Sequence, residues 1–199
     1  MTVTRITPAD FVSSLWSGGE THQLAIAPAG AVYADRDFLW RLSSATVNLE
    51  ESDFTALPDY ERYIATLEGS IRVSHDGGEA MTLVPYSVHR FDGGADTKSW
   101  GRCVDFNLML RKGRCDGCLT ALRLAEGARV TLPRAFAEGP EHTLLVFCGE
   151  GGAVLHTGNE SVPFSRREAL LVSQPEGELT LESGDASAFM VAEMRGLEG

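Results

Sequence analysis

The chain is short of positive charge, of helix signals and of clustered histidine. Lys and Arg number 17 against 28 Asp and Glu, for a formal net charge of −11 over 199 residues. Such a surface repels a phosphate backbone, so nucleic acid is not an expected partner. The opening residues, Met1-Thr2-Val3-Thr4-Arg5, hold no apolar stretch of the signal-peptide kind. No apolar run approaches the length of a bilayer span. A cytoplasmic location with no membrane partner is therefore expected, and with it reduced thiols at Cys103, Cys115, Cys118 and Cys148. Cys115 and Cys118 make a lone C-x-x-C; a zinc ribbon needs a second pair, and a redox motif needs a βα context that is missing. There is no Gly-x-Ser-x-Gly elbow. The histidines, at 22, 75, 89, 142 and 156, are too scattered for a sequence-local triad.

What is present is strand-forming sequence broken by Gly and Pro. One short helix is predicted near residues 8–13, with Thr7 as cap and Pro8 at the first helical position. Elsewhere, runs such as Tyr63–Leu67, Ser70–Val73, Thr143–Phe147 and Ala188–Ala192 are rich in β-branched and aromatic residues. Many short strands with frequent turns indicate a sandwich or barrel. Tyr63-Ile64-Ala65-Thr66-Leu67-Glu68-Gly69 is echoed 80 residues later by Thr143-Leu144-Leu145-Val146-Phe147-Cys148-Gly149. Each copy is followed by a strand and a Gly-bearing turn, at Asp76-Gly77-Gly78 and at Thr157-Gly158-Asn159-Glu160. That period is too long for a solenoid and suits two tandem small barrels. The seam is expected within Arg111–Thr120.

The most telling segment is Asp105-Phe106-Asn107-Leu108-Met109. In a strand, Phe106 and Leu108 point one way, while Asp105, Asn107 and Met109 point the other. A carboxylate and a carboxamide on one face are either solvated or line a polar pocket. Together with Trp16–Thr21, Phe38–Val47, Phe54–Arg62, Leu67-Glu68-Gly69 and Phe91-Asp92-Gly93, this segment resembles the HutD/Ves family of bacterial cupins. Two positions depart from the family pattern: Ser17 stands where an Asn is usual, and Leu57-Pro58-Asp59 replaces a Phe-Pro-Gly.

The resemblance implies an all-β bicupin, two tandem cupin-like (jelly-roll, RmlC-like) half-barrels with few short helices. Residues 1–113 would be the N-terminal half carrying a pocket, and residues 114–199 a mainly structural C-terminal half. It also implies a link to histidine utilisation in some members and a small-molecule sensing or scavenging role, without an established catalytic activity.

Metal-binding cupins supply His-x-His, a Glu and a later His. Here the segment Thr55–Leu57 has no His, and Glu61 and His89 alone do not make a site, so no metal and no cofactor are expected. Arg41 and Arg62 sit in strand-like runs. A buried guanidinium must be paired, and its planar fork suits a carboxylate; Glu61, Glu68 and Asp105 are the intramolecular alternatives. Trp16 and Trp40 could wall a pocket or pack in a core. Gly18-Gly19 reads as a tight turn or close backbone approach. The expected ligand-binding set is Arg62, Asp105, Asn107, Arg41, Trp16, Trp40 and Glu61, with no catalytic residue assigned. The expected function is non-catalytic, metal-free binding of a small carboxylated metabolite. The alternatives are an enzyme using Glu61 or Asp105 as acid/base and a structural homodimer with a vestigial pocket.

Overall fold

A computed structural model describes residues 1–136, 139 and 141–197. Strand accounts for 59% and helix for 3%, far from the roughly one-third helix of average domains, so the all-β expectation holds. The predicted helix at 8–13 shrinks to a 3-10 turn over Pro8–Asp10, where Thr7 N–H and Oγ1 both donate to the Asp10 carboxylate. Val12 already belongs to the next strand, because a β-branched residue beside two serines favours extended backbone over a second turn.

The strands in chain order are β1 (Thr2–Ile6), β2 (Val12–Trp16), β3 (Gly19–Ala27), β4 (Trp40–Val47), β5 (Glu51–Asp53), β6 (Tyr60–Glu68), β7 (Ile71–His75), β8 (Met81–Leu83), β9 (His89–Asp92), β10 (Thr97–Trp100) and β11 (Cys103–Arg111). After these come β12 (Cys115–Leu124), β13 (Arg129–Thr131), β14 (Thr143–Glu150), β15 (Gly152–His156), β16 (Ser161–Ser165), β17 (Ala169–Ser173), β18 (Thr180–Ser183) and β19 (Ser187–Gly196).

They form two compact units. One comprises residues 11–116, in which a six-stranded sheet β2-β3-β4-β11-β6-β9 accompanies a four-stranded sheet β5-β10-β7-β8. The other comprises residues 1–10 with 117–199, in which β1-β17-β14-β19-β12 accompanies β13-β18-β15-β16. The expected division at 113/114 therefore differs in two respects. The boundary falls inside β12, and the first ten residues belong with the second unit. β1 pairs antiparallel with β17, and Met1 and Val3 pack on the second unit's core. An isolated strand does not announce its partner in its own sequence.

In the second unit Leu144, Val146, Leu155, Leu170, Leu181 and Phe189 are among the buried core residues. In the first unit, Ile64, Ile71, Val73, Leu83 and Phe91 pack one core cluster, and Phe38, Leu57, Tyr60 and Met109 pack another. Between them the inner face of the six-stranded sheet turns polar.

Candidate functional site

β11 is the axis of the site. Its neighbours β4 and β6 place Arg41, Met109 and Arg62 in one row across three strands, and Asn107 lies two residues along, opposite Ser43. Asp105 follows in the next row, opposite Ala45 and Thr66. Period-two alternation thus gathers Arg41, Ser43, Arg62, Asp105 and Asn107 onto one face. That face lines a cavity of about 350 Å³ that also meets Ser14, Trp16, Tyr33, Phe54 and Thr55. The size is at the small end for small-molecule sites.

Arg62 lies at the end of a relay. Its Nη2 donates to Asn107 Oδ1 at 3.0 Å, and the Asn107 carboxamide hydrogen-bonds the Asp105 carboxylate. Asp105 Oδ1 also accepts the Ala45 N–H at 3.0 Å. Phe54 and Phe91, neighbours with ring centroids 6.1 Å apart, pack against Arg62, each with its centroid 5.1 Å from the guanidinium carbon. The Nε of Arg62 is buried and finds no acceptor among the described residues. Arg41 donates from Nε to Gln23 Oε1 at 2.8 Å and from Nη1 to Ser43 Oγ at 2.9 Å, and it lies over the Tyr33 ring. Neither arginine therefore has a carboxylate as its direct hydrogen-bond partner.

Burial shifts the charges accordingly. Desolvation pulls Arg62 down to about 10 and lowers Arg41. It pushes Asp105 up to about 6, against the opposing pull of its Ala45 and Asn107 hydrogen bonds. The inner face thus holds two buried guanidinium groups and one buried carboxylate.

The supporting motifs now have physical reasons. Phe91-Asp92-Gly93 places Phe91 under Arg62 and Asp92 on Lys112 Nζ at 2.7 Å. A Cβ at Gly93 would stand 2.6 Å from the carbonyl oxygens of Leu57 and Tyr60 and 3.2 Å from Arg62 Cδ. The Tyr60 hydroxyl donates within reach of the carbonyls of Arg36 and Phe38, and its ring stacks on Phe38 at 4.4 Å. That contact anchors the loop that carries Tyr33. Gly18 makes room for an indole: a Cβ there would sit 2.0 Å from a Trp16 ring atom.

Five expected residues therefore line the cavity: Arg62, Asp105, Asn107, Arg41 and Trp16. Two do not. Glu61 neighbours Arg62 on β6 and so points to the opposite face, where it pairs with Arg90 Nε at 2.8 Å. Trp40 precedes Arg41 on β4 and is buried on the face away from the cavity. Both corrections follow from strand alternation. Ser43, Gln23, Tyr33, Phe54 and Thr55 were missed, although Ser43 could have been found two residues after Arg41 on the same strand face. Cys115 and Cys118 are free thiols. Three residues apart in β12, they lie roughly 10 Å apart along an extended strand, beyond disulfide reach.

The model of one protein family, HutD, matches residues 8–191. The chain belongs to the HutD family. Among solved structures it resembles the conserved protein of unknown function PA5104 from Pseudomonas aeruginosa PAO1, with TM-score 0.83 and 24% identity over 98% of this chain and 100% of that one. HutD from Pseudomonas fluorescens SBW25, solved in a formate condition, aligns with TM-score 0.77 and 21% identity over 99% and 100% of the two chains. The bacterial pirin YhhW from Escherichia coli, in complex with nickel(II), aligns with TM-score 0.69 at 8% identity over 96% and 98%. These likenesses establish the cupin fold. No curated protein matches by sequence. Among the described residues no three His, Cys, Asp or Glu side chains come together to hold an ion, and two guanidinium groups occupy the cavity wall.

Proposed function

We propose that this HutD-family protein binds a small carboxylated metabolite in the N-terminal unit, through Arg62 and Arg41 and without a metal. One observation carries the reading: two buried guanidinium groups face a cavity that supplies a single buried carboxylate, itself reached only through Asn107. An isolated buried charge is costly, and a bound carboxylate would complete the set through bidentate, charge-assisted hydrogen bonds. The neighbouring rings of Phe54 and Phe91 cover one side of Arg62 and leave its fork to the cavity. The link to histidine utilisation in the family makes carboxylated intermediates of histidine breakdown the first acids to test.

Thermal shift against a panel of such acids is the direct experiment. A ligand at 100 times its Kd stabilises the native state by about 2.7 kcal/mol, and Arg62→Ala should abolish the shift. No shift with any acid counts against binding. A second reading is favoured by the Asp105 carboxyl, which lines the cavity and is pushed by burial up to about 6, in the direction an acid/base group needs. Conversion of a panel acid to a product, lost in Asp105→Asn, would select that reading.

A further inference from the structure

Unprotected sheet edges are templates for pairing, and proteins blunt them with charge, proline or brevity. The described strands show that rule applied at every edge but one. β1 carries Arg5, β12 carries Asp116 and Arg123, β13 carries Arg129, and β16 carries Pro163. β5 carries Glu51 and Asp53, β9 carries Arg90 and Asp92, and β8 is three residues long. β2, Val12-Ser13-Ser14-Leu15-Trp16, edges the six-stranded sheet with five exposed residues, no charge and no proline. Val12 is 65%, Leu15 83% and Trp16 40% exposed. Leu49, also 40% exposed, adjoins Trp16 across Gly18, so the bare edge continues into an apolar patch.

We propose that β2 is a homodimer interface, formed by antiparallel pairing with β2 of a second copy. Three features select a second copy as the occupant. Pairing centred on Ser14 is self-complementary: Val12 of one copy meets Trp16 of the other, Ser13 meets Leu15, and Ser14 meets itself. The strand is uncharged in a chain of net charge −11, so here two acidic molecules approach without opposed carboxylates. It also offers no charge by which a foreign partner would be recognised. Ser14 and Trp16 line the cavity, so the interface forms the outer wall of the ligand pocket, and pairing across it covers the exposed part of Trp16. The inference holds whether or not the pocket binds an acid.

Sedimentation velocity on the full chain, from low to high micromolar concentration, tests it. The wild type should show a reversible monomer–dimer equilibrium. Leu15→Lys, on the face away from the cavity, should raise the dimer dissociation constant at least about tenfold, equivalent to about 1.4 kcal/mol, with an unchanged melting temperature at concentrations where the wild type is monomeric. Met81→Lys, on β8, makes the same charge change at another exposed apolar position and should leave association intact. A wild type that stays monomeric throughout, a Leu15→Lys variant that dimerises as before, or equal weakening by Met81→Lys would each overturn the proposal.

Discussion

The two units put a buried polar pair at matching points of their inner sheets and use it in opposite ways. Arg62 on β6 meets Asn107 on β11, which pairs across the ladder with Ile64. His142 stands 80 residues after Arg62, just before β14, and meets Glu193 on β19, which pairs across the ladder with Leu144. In the second unit the pair is satisfied from within. Glu193 Oε1 lies 2.7 Å from His142 Nε2 and 3.2 Å from Arg134 Nε, and Oε2 accepts the Ala135 N–H at 2.6 Å. Leu144, Val146, Phe189 and Val191 belong to that unit's buried apolar cluster. In the first unit the pair faces a cavity, and Arg62 Nε has no acceptor among the described residues. One fold thus supports a closed charged cluster that holds structure and an open one that suits a ligand.

The largest expected effect tests the closed cluster. Glu193→Ala strands His142 and Arg134 and should cost about 3–5 kcal/mol of stability, measured by denaturant unfolding, while leaving the acid-induced thermal shift of the N-terminal unit in place. The open cluster should respond the other way. Arg62→Ala should lose about 2–5 kcal/mol of carboxylate binding, read by calorimetry on the acid that shifts the wild type. Arg62→Lys should recover only part, because the bidentate fork is gone. If Arg62→Ala instead destabilises the fold as much as Glu193→Ala and changes no ligand response, the contrast between the units collapses.

Much of this is legible in the sequence. The β-rich pattern, the 80-residue echo and the alternation of Asp105, Asn107 and Met109 all follow from strand periodicity, which is local. Arg62 joined Asn107 because the family motifs placed both in one half-barrel. The misplaced residues, Glu61 and Trp40, each sit one position from a cavity residue. Motif membership does not distinguish the faces of a strand, whereas a register slip of one residue reverses them. The His142–Glu193 cluster escaped because the echo was read from Tyr63 and Thr143. One residue earlier it reaches Arg62 and His142. Glu193 itself required the β14–β19 pairing, a non-local fact. The place of β1 in the second unit was hidden for the same reason.

Asp105 sharpens the comparison through pH. Its folded pKa of about 6 lies above its ordinary 3.8 because burial disfavours the anion. A raised folded value means that the stability it contributes is fully present below about 3.8 and is lost as pH rises through about 6. The wild type should therefore bind an acid more tightly as pH falls through 6, down to the point where the acid itself protonates, since protonation removes the negative charge facing the ligand. Asp105→Asn should flatten both profiles. Near pH 7.5 it should gain stability over the wild type on the order of 3 kcal/mol, with little difference near pH 4. An unchanged slope in the variant would mean that Asp105 is not the titrating group.

The smallest effect concerns the C-x-x-C. Sequence alone predicts that replacing both cysteines with serine leaves stability nearly unchanged, on the premise of exposed or half-exposed thiols. Cys118 meets that premise, being half-buried, but Cys115 is only 5% exposed. A serine hydroxyl at Cys115 carries a more polar group into a buried site, where the carbonyl of Asp116, 3.4 Å from the present sulfur, offers an acceptor. Cys115→Ser should thus cost about 1 kcal/mol, and Cys118→Ser under about 0.5 kcal/mol. Three positions apart on β12, the two side chains project from opposite faces of the strand, so the double variant should show the sum. Mild oxidation followed by intact mass should find no loss of two hydrogen atoms from a Cys115–Cys118 bond, because an extended strand holds the thiols too far apart. A large cooperative loss in the double variant, or such a bond, would show that β12 departs from extended geometry in solution and that the pair ties the chain together at the division between the units.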